Sequence, residues 1–258
     1  EYKPKTLMDP RLKAFERLLT IMDELREKCP WDKKQTNETL RHLTLEEAYE
    51  LSDALLDGNN EEIKKELGDL FLHLVFYSKI GSEKQAFDIT DVLNSICEKL
   101  IYRHPHIYSD VKVKNEEEVK QNWEQLKLKE GNKSVLGGVP QSLPSIIKAS
   151  RMQDKAAQVG FDWPSKAQVW DKVEEELQEF KDATEAYKQE EFGDLLFSLI
   201  NYARWLNINP DDALESTNRK FKFRFEAIEK YALESNLNLE EMTLQEMDKV
   251  WDQAKKIR

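Results

Sequence analysis

Apolar residues recur at intervals of three and four along most of the chain, the spacing that lines one face of an α-helix. Leu12, Phe15, Leu18, Leu19, Met22 and Leu25 form the first such stripe, and it predicts a helix ending near Cys29-Pro30. A second stripe predicts a helix from about Leu45 to Leu56. Asp57-Gly58-Asn59-Asn60 then supplies turn chemistry, and a third helix is expected from Glu61 to about Ile80, with Gly81 as its C-terminal stop. A fourth covers roughly Ile89 to Tyr102, before Arg103-His104-Pro105-His106 breaks it. The fold class expected is all-α. The stretch 131–140 has the composition of a linker, so the pattern predicts an N-terminal helical domain at 1–130, a Gly/Pro-containing linker at 131–145 and a C-terminal helical domain at 146–258.

The same landmarks return in the same order on both sides of that linker, which marks a tandem repeat. Cys29-Pro30-Trp31-Asp32 is echoed by Gly160-Phe161-Asp162-Trp163, and Glu46-Glu47-Ala48-Tyr49-Glu50 by Glu175-Glu176-Leu177-Gln178-Glu179. Glu66-Leu67-Gly68-Asp69 is echoed by Glu191-Phe192-Gly193-Asp194. Lys99 and Arg103 match Lys220 and Arg224, while Trp123 and Lys127 match Trp251 and Lys255. Sixteen positions separate Glu50 from Glu66, but only twelve separate Glu179 from Glu191. The second turn is therefore expected to be the tighter one.

Composition narrows what such a repeat can serve. The 39 basic and 50 acidic side chains leave a net charge of −11, a surface that repels phosphate backbones, and no basic stripe is visible. Nucleic acid is not expected as a partner, and a phosphate compound would need cations to mediate. The longest apolar stretch, Leu70 to Tyr77, is interrupted by His73 and falls far short of the roughly 20 residues that cross a bilayer. No membrane partner is expected. Two cysteines, Cys29 and Cys97, make no disulfide framework, and nothing resembles a signal peptide, so the expected compartment is the cytoplasm.

The acids carry the candidate chemistry. Residues three apart share one helix face, so Glu47 with Glu50 and Glu66 with Asp69 make vertical carboxylate pairs on consecutive, antiparallel helices. In a chain this acidic such a pattern also describes a solvated face. Asp69, however, opens the apolar run Leu70 to Tyr77 and Asp194 opens Leu195 to Ile200, which predicts that the acids enter the interior. Two carboxylates about 4 Å apart repel by roughly 4 kcal/mol at an effective dielectric near 20. Bound divalent cations would hold them ionised, and an all-oxygen set selects Mg²⁺ first and Mn²⁺ second. A ferritin-like di-iron bundle would want Glu-x-x-His, which neither half has. Gly68 and Gly193 sit mid-helix at a cost of about 1 kcal/mol each, which suggests close approach of the facing helix or of a ligand. Lys220 and Arg224, four apart, and Lys255, four after Trp251, are candidate phosphate ligands, with Lys99, Arg103, Trp123 and Lys127 as first-half equivalents. His42, His73, His104 and His106 join neither quartet and are expected to be structural or exposed.

Glu-Glu-x-x-Glu followed by Glu-x-x-Asp, carried twice, resembles the MazG nucleoside triphosphate pyrophosphohydrolases of the all-α NTP pyrophosphatase superfamily, with the likeness running from Arg11 to Lys255. The resemblance implies two tandem MazG-like helical bundles that hydrolyse an NTP or dNTP at the α-phosphate to NMP and pyrophosphate, with Mg²⁺ and broad base specificity. It also implies a homodimer. Its metal ligands fall on Glu176, Glu179, Glu191 and Asp194 and on Glu47, Glu50, Glu66 and Asp69, with Glu175 or Glu46 beside them as the base that orients water. Lys220, Arg224 and Lys255 would bind phosphates, and Trp251 would pack on base or ribose. Alternatives are a narrow-specificity dNTP hydrolase of the same superfamily and a non-catalytic helical dimer that binds metal or nucleotide.

Overall fold

The computed structural model describes residues 9–115, 118, 119, 122, 123, 126 and 134–257, and among these every regular element is helical. Contacts divide the chain into two units, Glu1–Val113 and Lys114–Arg258, and the segment expected as a linker falls within the second.

The first unit begins with α1 (Pro10–Lys28), started by the Asp9 carboxylate, which accepts from the Arg11 N–H, and by Pro10 in the first turn. A short 3₁₀ turn at Asp32–Lys34 leads into α2 (Asn37–Asp57). This helix starts eight residues before the expected Leu45, because Thr36 and Thr39 cap each other's backbone N–H groups and so nucleate a first turn from which Leu40 enters the core. Gly58 takes a left-handed φ of +66°, and Asn59 caps α3 (Asn60–Glu83). α3 does not stop at Gly81. That residue lies buried inside the helix, where a Cβ would stand 2.7 Å from Phe87 Cε2, so glycine serves a close approach there. α4 (Ile89–Arg103), capped by Asp88, and α5 (Pro105–Tyr108) complete the unit. Met22, Leu40, Val75, Phe76 and Ile80 form its core, and the Arg26 guanidinium ties the end of α1 to the Gln35 carbonyl (3.2 Å) and to Glu83 (3.0 Å).

The second unit contains α6 (Ser145–Gln158), α7 (Lys166–Asp182), α8 (Lys188–Trp205), α9 (Pro210–Glu234) and α10 (Leu244–Lys255). α8 packs on both α7 and α6, and α9 packs on α10 around Ile228, Ala232, Met242 and Val250. The turn joining α7 to α8 is not the tighter one. It spans residues 183–187, against residues 58 and 59 in the first unit, and the shorter interval between the acids comes instead from α7 ending, and α8 starting, close to them.

α3 is also less enclosed than its apolar run predicts. His73, Val75 and Phe76 face the core, but Leu67, Phe71 and Leu74 face outward, as do Phe192, Leu196 and Leu199 at the same positions of α8. Among the described residues no helix is long and apolar enough to cross a membrane.

Candidate metal centres and the cleft of the second unit

α2 and α3 lie side by side, so the Glu-x-x-Glu turn of one faces the Glu-x-x-Asp turn of the other. Carboxylate oxygens of Glu47, Glu66 and Asp69 lie within 4.8 Å of one another, and those of Glu176, Glu191 and Asp194 meet in the same way between α7 and α8. Glu50 and Glu179 are exposed and stand beside these triads rather than within them. Burial and neighbouring charge raise the pKa values of Glu47, Glu50 and Glu191. Glu47 is pushed up by partial burial and then by the charges of Asp69, Glu50 and Glu66. Glu50 is pushed up first by Glu66, and Glu191 by burial followed by Glu179, Asp194 and Glu176.

Burial is uneven. Glu66 and Glu176 are only 3% and 7% exposed, while Asp69 is half-buried and Asp194 is exposed, so the expectation that every acid enters the interior holds for one residue per cluster. In both buried glutamates Oε2 is enclosed and has no hydrogen-bond partner. Buried polar atoms are rarely left unpaired. An orphaned carboxylate oxygen converging with two further carboxylates suits a hard divalent cation, and the donor set is all oxygen. The other oxygen of each is taken by a lysine: Lys65 Nζ stands 2.8 Å from Glu66 Oε1, and Lys172 Nζ 2.6 Å from Glu176 Oε1 and 2.7 Å from Glu175 Oε1. Gly68 and Gly193 show no close approach within the chain, since a Cβ at either would meet no atom within 4 Å.

In the second unit the cluster opens on a cleft of about 630 Å³, walled by Gln153, Phe161, Trp163, Lys172, Asn201 and Arg204 together with Glu176 and Asp194. The Gly-Phe-Asp-Trp motif forms its lip. Gly160 adopts φ +88° to end α6, and Asp162 then receives Arg204 Nη1 at 2.9 Å and its neighbour's Trp163 N–H at 2.9 Å. Phe161 projects at 81% exposure. By the register of the repeat, Met22, His73 and Phe76 stand where Gln153, Ser198 and Asn201 line the cleft. Met22 and Phe76 are 1% and 2% exposed, and the His73 ring is held in the interior by the Thr44 hydroxyl at 2.7 Å. Burial keeps the His73 pKa low against the pull of Asp69. First-unit core side chains thus occupy the positions that form the wall in the second.

The basic candidates lie elsewhere. Arg224 sits 5.4 Å over the Trp251 ring, which Phe221 meets edge-on at 5.2 Å, on the faces where α9 and α10 pack. Lys220 and Lys255 are exposed, and none of Lys220, Arg224, Trp251 and Lys255 lines the cleft. Lys99 is exposed and Arg103 half-buried on α4, Trp123 is partly exposed, and Lys127 lies outside the described residues. Lys65, Lys172 and Gln153 escaped the sequence reading. Lys172 could have been found from its place three and four residues before Glu175 and Glu176, whereas nothing marks Gln153.

A helical bundle with paired carboxylate turns beside an aromatic-lipped cleft defines the class of site, an all-oxygen acidic cluster that opens on a cavity. Residues 35–108 match the MazG nucleotide pyrophosphohydrolase domain. The chain is 42% identical over 247 residues to the nucleoside triphosphate pyrophosphohydrolase/pyrophosphatase MazG of Thermotoga maritima, covering 93% of this chain and 95% of that protein. It is 39% identical over 258 residues to the nucleoside triphosphate pyrophosphohydrolase of Escherichia coli, covering 95% and 98%. The crystal structure of a mazG-related protein from Thermotoga maritima aligns with a TM-score of 0.40 and 26% identity, over 44% of this chain and 98% of that one. The chain belongs to the MazG family of nucleotide pyrophosphohydrolases, which are hydrolases of phosphoric anhydrides.

Proposed function

We propose that this protein is a Mg²⁺-dependent nucleoside triphosphate pyrophosphohydrolase that takes NTPs and dNTPs to NMP and pyrophosphate with broad base specificity, with the second unit as its principal site and Mn²⁺ as a substitute ion. The observation that carries this reading is the second cluster, whose Glu176 has an enclosed, unpartnered oxygen beside a cleft large enough for a nucleotide. Glu176, Glu191 and Asp194 hold the cation there, with Glu179 alongside, and Glu47, Glu66 and Asp69 with Glu50 do so in the first unit. When bound, the ion neutralises phosphate oxygens and makes water a better nucleophile. Glu175 orients that water and takes its proton, and the oxygen attacks the α-phosphorus while pyrophosphate leaves; Glu46 is its first-unit counterpart. Lys220, Arg224 and Lys255 bind phosphates and Trp251 packs on base or ribose, with Lys99, Arg103, Lys127 and Trp123 as equivalents. The cleft itself carries no member of this basic set, which supports a homodimer in which a neighbouring copy completes the site. The outward stripes Leu67-Phe71-Leu74 and Phe192-Leu196-Leu199, on the same helices as the acids, suit that contact.

A panel of NTPs and dNTPs with Mg²⁺, scored for NMP and pyrophosphate, tests the activity and its breadth. Glu176→Gln and Asp194→Asn are expected to cut pyrophosphate release by at least a hundredfold in folded protein. Full turnover in a variant lacking both acidic quartets would end this reading.

A further inference from the structure

Glu176 is almost withdrawn from water, yet its two oxygens differ: Oε1 lies 2.6 Å from Lys172 Nζ, while Oε2 has no partner. The same ammonium sits 2.7 Å from Glu175 Oε1. Lys172 precedes both acids by one helical turn on α7, its side chain is 32% exposed, and it lines the cleft together with Glu176 and Asp194. The first unit has nothing like it at this position, since Leu43 stands four residues before Glu47 and packs on the core. The lysine near Glu66 comes instead from the adjoining position of α3 and is 61% exposed.

We propose that Lys172 is a built-in competitor of divalent cations, a positioning residue whose ammonium occupies Glu176 and holds down the cation affinity of the second-unit cluster. The inference rests on the reading of Glu176, Glu191 and Asp194 as cation ligands given above. A lysine on the carboxylate that also receives a doubly charged ion repels that ion, and at such separations the repulsion is worth about an order of magnitude in affinity even at the dielectric of water. A neighbour that merely oriented the ligand would act in the opposite sense and strengthen binding. The geometry favours competition. Lysine is a compact point charge on a flexible stem, and Glu175 offers Nζ a second partner, so the ammonium stays paired if Glu176 is taken from it.

The test is calorimetric titration with Mn²⁺ alone, on the full chain carrying Glu47→Gln and Asp69→Asn so that the isotherm reports the second cluster. Lys172→Met in that background is expected to bind Mn²⁺ about tenfold more tightly than its parent, and Lys172→Arg, which keeps the charge, within about threefold of it. Lys172→Gln replaces the methionine variant should circular dichroism show that one misfolded. Unchanged or weaker Mn²⁺ binding by the neutral variants, or no Mn²⁺ binding by the parent, overturns the proposal. Pyrophosphate release by the unmutated protein separates this result from the enzymatic reading: tighter Mn²⁺ binding in a protein that turns over no nucleotide keeps the competitor and sinks the hydrolase, and the reverse pattern does the opposite.

Discussion

At the scale of single residues, partial burial and then neighbouring negative charge make Glu47 resist ionisation. Glu47 holds its proton more tightly in the folded chain than in the unfolded one, mainly through partial burial and the nearby Asp69. Above its ordinary value of 4.5 the folded state therefore binds more protons than the unfolded state, and the stability drawn from this group falls as pH rises, until the raised folded value is passed. Glu47→Gln removes the titration. With EDTA present, variant and parent are expected to melt together near pH 4 and the variant to melt about 1–3 °C higher at pH 7, by differential scanning calorimetry. Saturating Mg²⁺ should reverse the order at pH 7, because the variant then lacks a ligand that only the folded state offers. A variant that melts lower in EDTA at both pH values would refute the electrostatic account.

Among the elements, two glycines in helices, Gly81 and Gly193, do different things. Gly81 is enclosed by Phe87, whose ring and carbonyl oxygen a Cβ would meet at 2.7 and 2.9 Å, so Gly81→Ala must shift both helix and loop. Overpacking of this kind costs about 1–3 kcal/mol, which exceeds the helix-propensity gain of about 1 kcal/mol. Gly193 meets nothing, and Gly193→Ala is expected to stabilise by up to about 1 kcal/mol. Urea unfolding of the two variants should move the midpoint in opposite directions. Equal shifts would mean that the room beside these glycines is not what distinguishes them. The sequence presents Gly81 as a helix stop and Gly193 as a mid-helix glycine, and only the packing partner, supplied from outside the helix, shows what each does.

For the whole molecule, the repeat is the organising fact, and its two copies have diverged where their helices meet. Both keep the carboxylate triad, but side chains at the positions of Met22, His73 and Phe76 fill the first unit, while Gln153, Ser198 and Asn201 leave an opening in the second. Both also keep an outward apolar stripe. If those stripes are buried between copies, the protein sediments at twice the mass of one chain, and Leu196→Asp with Leu199→Asp shifts it toward one chain mass in analytical ultracentrifugation. A parent sedimenting as a single chain at 50 μM would remove the dimer from the proposed function.

Helix content, the repeat and the identity of the paired acids were legible from the order of residues, because helical periodicity is a local property and Glu-x-x-Glu fixes which side chains share a face. The start of α2, the continuation of α3 through Gly81 and the longer turn at residues 183–187 were not, because a reciprocal threonine cap, a phenylalanine from a following loop and the trimming of two helix ends decide them. The sequence offered four acids per half as equals. Tertiary packing made one of each four a buried carboxylate with an orphaned oxygen, set a lysine on its other oxygen, and opened a cleft beside the cluster of the second unit, since burial and cavity shape depend on side chains brought together from different helices.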